Sequence, residues 1–197
     1  MQKRRSKTST IGSMSSPHYL FLSASAREPG IVGNTEWLAK EAARHLPAGT
    51  PQTWVHLAQE AIPPFVDIRH TAGTYPAPEG RMAQLLEATL QASHIVLVSP
   101  VYWFSLPTAL KAYLDHWSGW LRVPDLEFKQ RMAGKTLYIV STGGERRKAQ
   151  PSIDAAQLCA EFMGMQWGGA LWGKGGAPDA VAQDHAAVAA AATFLAR

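Results

Sequence analysis

The segment HIVLVSP, residues 94–100, is the strongest constraint on how this chain folds. It is apolar without alternation and ends at a proline. A strand with one wet face alternates apolar and polar residues, so a short continuous run predicts a strand buried on both faces. Such strands belong to parallel sheets, whose crossover helices cover both sides. The rest of the chain is patterned to match. YLFLSAS (19–25), TWVHLA (53–58), KTLYIVST (135–142) and the glycine-interrupted MQWGGALWG (165–173) are further candidate strands. Helical spacing lies between them: Leu38, Ala42 and Leu46 within 34–46; Met82, Leu85, Leu86 and Leu90 within 79–93; then Leu106, Leu110, Tyr113, Leu114 and Trp117. Helices are also predicted over 151–163 and, alanine-rich, over 178–196. Residues 61–78 are rich in proline and read as an irregular excursion.

Five strands alternating with helices predict an α/β fold: a doubly wound, five-stranded parallel sheet of flavodoxin-like order 2-1-3-4-5, with helices on both faces. The expected organisation is one domain over 17–197 behind a disordered basic tail, residues 1–16. That tail, MQKRRSKTSTIGSMSS, has no apolar core of a secretory signal and reads as a leader, or as sequence preceding a true start at Met14. It decides the charge question. The formal net charge is +4, but Lys3, Arg4, Arg5 and Lys7 supply all of it, leaving 15 basic against 15 acidic residues. A neutral domain carries no footprint of nucleic-acid binding. No stretch approaches the roughly 18 apolar residues of a membrane span. The single cysteine, Cys159, excludes an internal disulfide and a cysteine-based metal or iron–sulfur site, and reads as a core thiol in a reducing cytoplasm.

In this topology ligands bind beyond the carboxyl ends of the strands, at the switch point between strands 1 and 3. Three loops therefore matter. The first runs from Ser23 through Ser25, Arg27, Gly30 and Gly33 to Asn34 and Thr35. It combines hydroxyls, an arginine and a helix start, which suits a phosphate; an ordinary N-cap by Asn34 or Thr35 is the competing reading. It matches neither a Walker loop nor a GxGxxG fingerprint. The second, Ser99-Pro100-Val101-Tyr102-Trp103-Phe104-Ser105, places three consecutive aromatics after the central strand. They predict a wall for a flat ligand, against the alternative that they cap the core. The third, Ser141-Thr142-Gly143-Gly144-Glu145, allows close backbone approach to a ligand, or is a tight turn. The following Arg146, Arg147 and Lys148 read as a solvated face, or as a clamp for the phosphates of a nicotinamide cofactor.

On these residues the chain resembles the flavodoxin-like NAD(P)H-dependent FMN reductases and quinone reductases, from about Tyr19 onward. The most specific segment is SPVYWFSLPTALKAYLDHW, 99–117, similar to that family's flavin-ring loop and following helix. The resemblance implies ring contacts from Pro100, Val101, Tyr102, Trp103 and Phe104. SASAREPGIVGNT resembles the family's phosphate loop and implies Ser25, Arg27, Asn34 and Thr35, with Ser23 beside them. STGGE resembles the loop at the ring edge and implies Thr142, Gly143 and Gly144, with Ser141 beside them as a further candidate. FMN is then the expected cofactor, NAD(P)H the co-substrate and a quinone, flavin or other flat molecule the acceptor, served in ping-pong order. Catalysis would rest on the flavin rather than on a side chain. The resemblance also implies a homodimer, with a tetramer as the alternative, whose crevices are completed by the neighbouring protomer. Residues 61–78 and 118–128, with Trp120 and Leu121, are candidates for that wall, and packing of Trp117 and Trp120 within their own domain is the competing reading. The alternative functions are an electron carrier, which a neutral domain fits poorly, and a regulatory flavoprotein subunit.

Overall fold

A computed structural model describes residues 16–196. All but Ser16 of the expected basic tail lies outside the described residues. Five strands, β1 (Tyr19–Ser23), β2 (Gln52–His56), β3 (His94–Val98), β4 (Thr136–Gly143) and β5 (Gln166–Lys174), form one sheet of order β2-β1-β3-β4-β5. Every pairing is parallel, in register from Tyr19↔His94 to Ser23↔Val98 at the centre. The order is the one expected from the sequence.

Alternate residues of the continuous apolar runs feed two separate cores. Leu20, Leu22, Ile95, Leu97, Leu137 and Ile139 face one side. There they meet α2 (Gly80–Gln91), α3 (Thr108–Trp120), the short α4 (Phe128–Met132) and α5 (Arg146–Met163). Tyr19, Phe21, Val96, Val98, Tyr138 and Val140 face the other side, against α1 (Asn34–Arg44) and α6 (His185–Phe194). The large strand aromatics on that face pack against small helix residues, Ala39, Ala42, Ala187 and Ala191, which lets two helices lie close to the sheet. Gly168 interrupts β5 for a related reason. A Cβ there would lie 2.3 Å from the Tyr138 ring, which crosses the backbone at the register shift between β4 and β5.

Several boundaries differ from the sequence reading. α5 starts at Arg146, so Pro151 is its sixth residue and not its first. Proline removes one amide donor there and would disturb only the amphipathic helix's first turns, whose apolar face is otherwise continuous through Ile153, Ala156 and Ala160. The final alanine-rich segment is two elements: a 3-10 turn, Ala180–Gln183, and α6. Asp184 separates them, because its carboxylate caps α6 by accepting from the Ala187 N–H (3.1 Å) and also accepts from the Lys174 N–H (2.8 Å). Those bonds, Lys174 first, hold its carboxyl below the usual carboxylate range. Trp120 is 3% exposed and joins Tyr113, Trp117 and Phe128 in an edge-to-face cluster, so it belongs to its own core and not to a neighbour's crevice. Cys159 is half-buried against the core, and burial pushes its thiol pKa up. Among the described residues no helix is long and apolar enough to cross a membrane.

Candidate functional site

Strands β1, β3 and β4 run parallel, so the loops leaving their carboxyl ends share one end of the sheet. They enclose a cavity of about 230 Å³ with the loop after β5. Of the expected residues, Ser25, Arg27, Asn34, Thr35, Pro100, Val101, Tyr102, Thr142, Gly143 and Gly144 line it.

One end of the cavity is polar and built on α1. That helix starts after Gly33 with no side-chain cap, so the amide N–H groups of its first turn are left for other acceptors. Gly33 is needed for what lies across them. A Cβ at position 33 would sit 3.0 Å from Arg27 Nε and 3.1 Å from its Cδ. Without it, the arginine lies over the helix start, and no ion pair engages it among the described residues. Ser25 Oγ accepts weakly from the Arg27 N–H at 3.4 Å. The hydroxyls of Thr35 and Thr142 share a hydrogen bond of 2.6 Å, which joins the loops after β1 and β4. Asn34 is committed to structure: its Nδ2 donates to the Ala177 carbonyl (2.9 Å) and its Oδ1 accepts from the Val181 N–H (3.1 Å). Those two bonds hold the segment carrying Gly175 and Gly176 against the cavity. That fourth wall is absent from the sequence reading, as is the lining residue Glu36, while Gly33 stands there in the first loop without a site role. The GKGG stretch after strand 5 is the signal that marks it.

The other end is aromatic and different in kind. Tyr102 and Ser105 form an isolated antiparallel bridge, with the Ser105 N–H donating to the Tyr102 carbonyl at 3.1 Å. Trp103 and Phe104 are the two residues between them, with φ of 49° and 62°. Positive φ at both central positions belongs to a type I′ hairpin, which favours Asn-Gly and strains bulky residues by about 1–2 kcal/mol each. Trp103 is 93% exposed and Phe104 54% exposed, and neither lines the cavity. They do not cap the core. Tyr102 does reach the cavity, and its hydroxyl accepts from the Ala26 N–H at 3.2 Å, which ties the hairpin to the first loop.

Two expected residues sit below the site. Ser23 and Ser141 are 1% and 0% exposed and do not line the cavity. The basic run after β4 pairs locally: Lys148 and Arg147 bind Glu145 at 2.7 and 2.9 Å and hold its carboxyl below the usual range. That arrangement fits the solvated-face reading.

The family described as having the flavodoxin-like fold matches residues 17–195. The chain belongs to this family. Among its relatives is a Bacillus subtilis protein provisionally named NAD(P)H-dependent FMN-containing oxidoreductase YwqN, 33% identical over 168 residues, which cover 84% of this chain and 91% of that one. An FMN-dependent NADH:quinone oxidoreductase of Kineococcus radiotolerans is 28% identical over 151 residues, 65% of each chain. Among solved structures, a Bacillus subtilis protein described as the Trp repressor binding protein superposes with a TM-score of 0.69 and 26% identity, covering 91% of this chain and 97% of its own. Membership of this family gives the cavity its position at the switch point.

Proposed function

We propose that this chain is an FMN-dependent NAD(P)H oxidoreductase with a flat acceptor such as a quinone. The observation that carries the reading is the division of the cavity: an amide-rich helix start with Arg27 laid over it at one end, and glycines, Pro100, Val101 and Tyr102 at the other. That donor set fits FMN. The α1 amides, Arg27, Ser25 and Thr35 suit a phosphate. The open backbone at Gly144 and the contact surface of Val101 beside Gly143 suit close approach by a flat ring. Asn34 would act through the wall it holds. Trp103 and Phe104 would make their ring or acceptor contacts from the hairpin tip at the mouth.

Bound FMN would supply the redox chemistry, taking hydride from NAD(P)H and passing it to the acceptor in alternating half-reactions. The protein's share is binding and orientation. The amides of the Thr142–Gly144 loop would meet charge that develops at the ring edge, and the loops would limit solvent. The relatives named above as FMN-dependent oxidoreductases support this reading. A homodimer, or a tetramer, forms part of the proposal. Ile31, Val32, Val66, Trp103 and Phe104 are exposed apolar side chains, all in connections that leave the carboxyl ends of β1, β2 and β3.

The test is FMN-dependent oxidation of NADH or NADPH by the purified protein, with a benzoquinone as acceptor. The proposal expects loss of the reduced-nicotinamide absorbance only when protein and FMN are both present. No oxidation of either nucleotide by the FMN-loaded protein would overturn it.

A further inference from the structure

The cavity wall contains an acid where a phosphate-binding site should exclude one. Glu36 lies in the first turn of α1, beside Thr35 and Asn34, and is the acidic residue among those lining the cavity. Its side chain is 6% exposed. Water therefore screens its charge poorly. Two cationic or potentially cationic groups approach it: Lys40 Nζ at 2.6 Å from Oε1, and His56 Nδ1 at 3.9 Å from Oε2. Lys40 is 45% exposed and His56 41%, so both partners lie on the wetter side of the carboxylate. An adjoining cavity of about 310 Å³ is lined by Glu36, Lys40, His56 and Gln59 and shares Ser25 and Arg27 with the main one. Glu36 stands on the partition between the two.

A flavin phosphate at this helix start would meet opposed influences. The helix amides and Arg27 attract it, while the Glu36 carboxylate repels it. Arg27 and Glu36 are the charged residues lining the main cavity, and they cancel. A phosphomonoester carries about −1.5 to −2 charges near neutral pH, so the surplus has no matching cation within the cavity.

We propose that Glu36 is a specificity-determining residue that holds phosphate affinity down, and that Lys40 sets how far it does so. The consequence is a weak preference for FMN over riboflavin and a flavin that exchanges with solution. This rests on the FMN-binding reading above. A purely structural role for Glu36 is the competing explanation. Glutamate in a first turn complements the helix dipole, and Glu36 with Lys40 is the favourable i,i+4 orientation. That role predicts altered thermal stability with no change in which flavin binds.

Fluorescence titrations of wild type, Glu36→Gln and Lys40→Met with FMN and with riboflavin separate these roles. Riboflavin has the same ring and no phosphate, so the ratio of the two affinities isolates the phosphate. Glu36→Gln should raise the FMN-to-riboflavin affinity ratio by about tenfold, as expected for removing one poorly screened charge. Lys40→Met should lower the ratio, because Glu36 loses its closest neutralising partner. A ratio unchanged or lowered in Glu36→Gln, with the protein folded, overturns the inference and leaves the FMN reading intact. Should Glu36→Gln fail to fold, a ratio unchanged or raised in Lys40→Met overturns it. A wild-type protein that binds neither flavin overturns the FMN reading itself, and the inference with it.

Discussion

The two ends of the crevice are built on opposite principles. At the α1 end, polar side chains are buried and paired, Thr35 with Thr142 and Asn34 with the 177–181 backbone, beneath an exposed Arg27 laid over Gly33. At the hairpin end, Trp103 and Phe104 are exposed and held in a backbone conformation that disfavours them. The first end is finished by the fold. The second carries strain and unburied aromatic surface that the fold itself does not use. Strain retained without a folding benefit points to a role in binding.

Substitutions at each end should therefore behave differently. The largest effect belongs to Asn34→Ala. It leaves the Val181 N–H without its partner and the Ala177 carbonyl with only its bond from the Ala180 N–H, and should cost about 2–3 kcal/mol of stability in a urea titration. FMN affinity should fall with it, because the Gly175–Gly176 wall loosens. A fully stable Asn34→Ala protein would show that the polar end is not prebuilt.

At the hairpin the signs should oppose one another. Replacing Trp103-Phe104 by Asn-Gly supplies residues suited to positive φ and should raise stability by about 1–2 kcal/mol. The single change Trp103→Ala should leave the unfolding midpoint nearly unmoved, since the indole is 93% exposed. In both variants FMN affinity should fall by roughly tenfold, the worth of a stacked aromatic contact. Unchanged affinity in folded Trp103→Ala would remove that residue from the site.

The smallest effect tests the segment behind the glycine wall. Asp184→Ala should cost about 1 kcal/mol as a lost helix cap. Backbone hydrogen bonds, that from Lys174 first, hold the folded-state pKa of Asp184 below the ordinary carboxylate value. Its contribution is thus present above that value and is lost as pH falls through the lower, folded-state one. Asp184→Asn should flatten that part of the acid stability profile. An identical profile in the variant would mean the carboxylate's charge does not matter there.

The sheet was legible because β1, β3 and β4 are apolar without interruption, and that pattern fits only strands covered on both faces. Helix boundaries were less so. Arg146–Gln150 shows no apolar period, so Pro151 presents itself as the start of α5, although the helix tolerates it one turn later. Alanine at every position of 186–192 but Val188 gives no facial contrast, which hides the break at Asp184. Helix α4 is too short, at five residues, for periodicity to reveal it. At the site, ten of the fourteen expected residues line the cavity, because loop position follows from topology. Ser23 and Ser141 fail because the strand-to-loop transition comes later than their hydroxyls suggest. Glu36 escapes notice because side-chain chemistry alone argues against an acid at a phosphate site, and only its burial and its pairing with Lys40 reveal it.

The central claim is that the crevice holds one FMN, with its phosphate at the start of α1. Titration of the purified protein with FMN, followed by flavin fluorescence, tests it most directly. The account predicts saturable quenching at one FMN per chain in about the micromolar range, weakened when Gly33→Val displaces Arg27 from the helix start. Absence of saturable binding by the folded wild-type protein would contradict it.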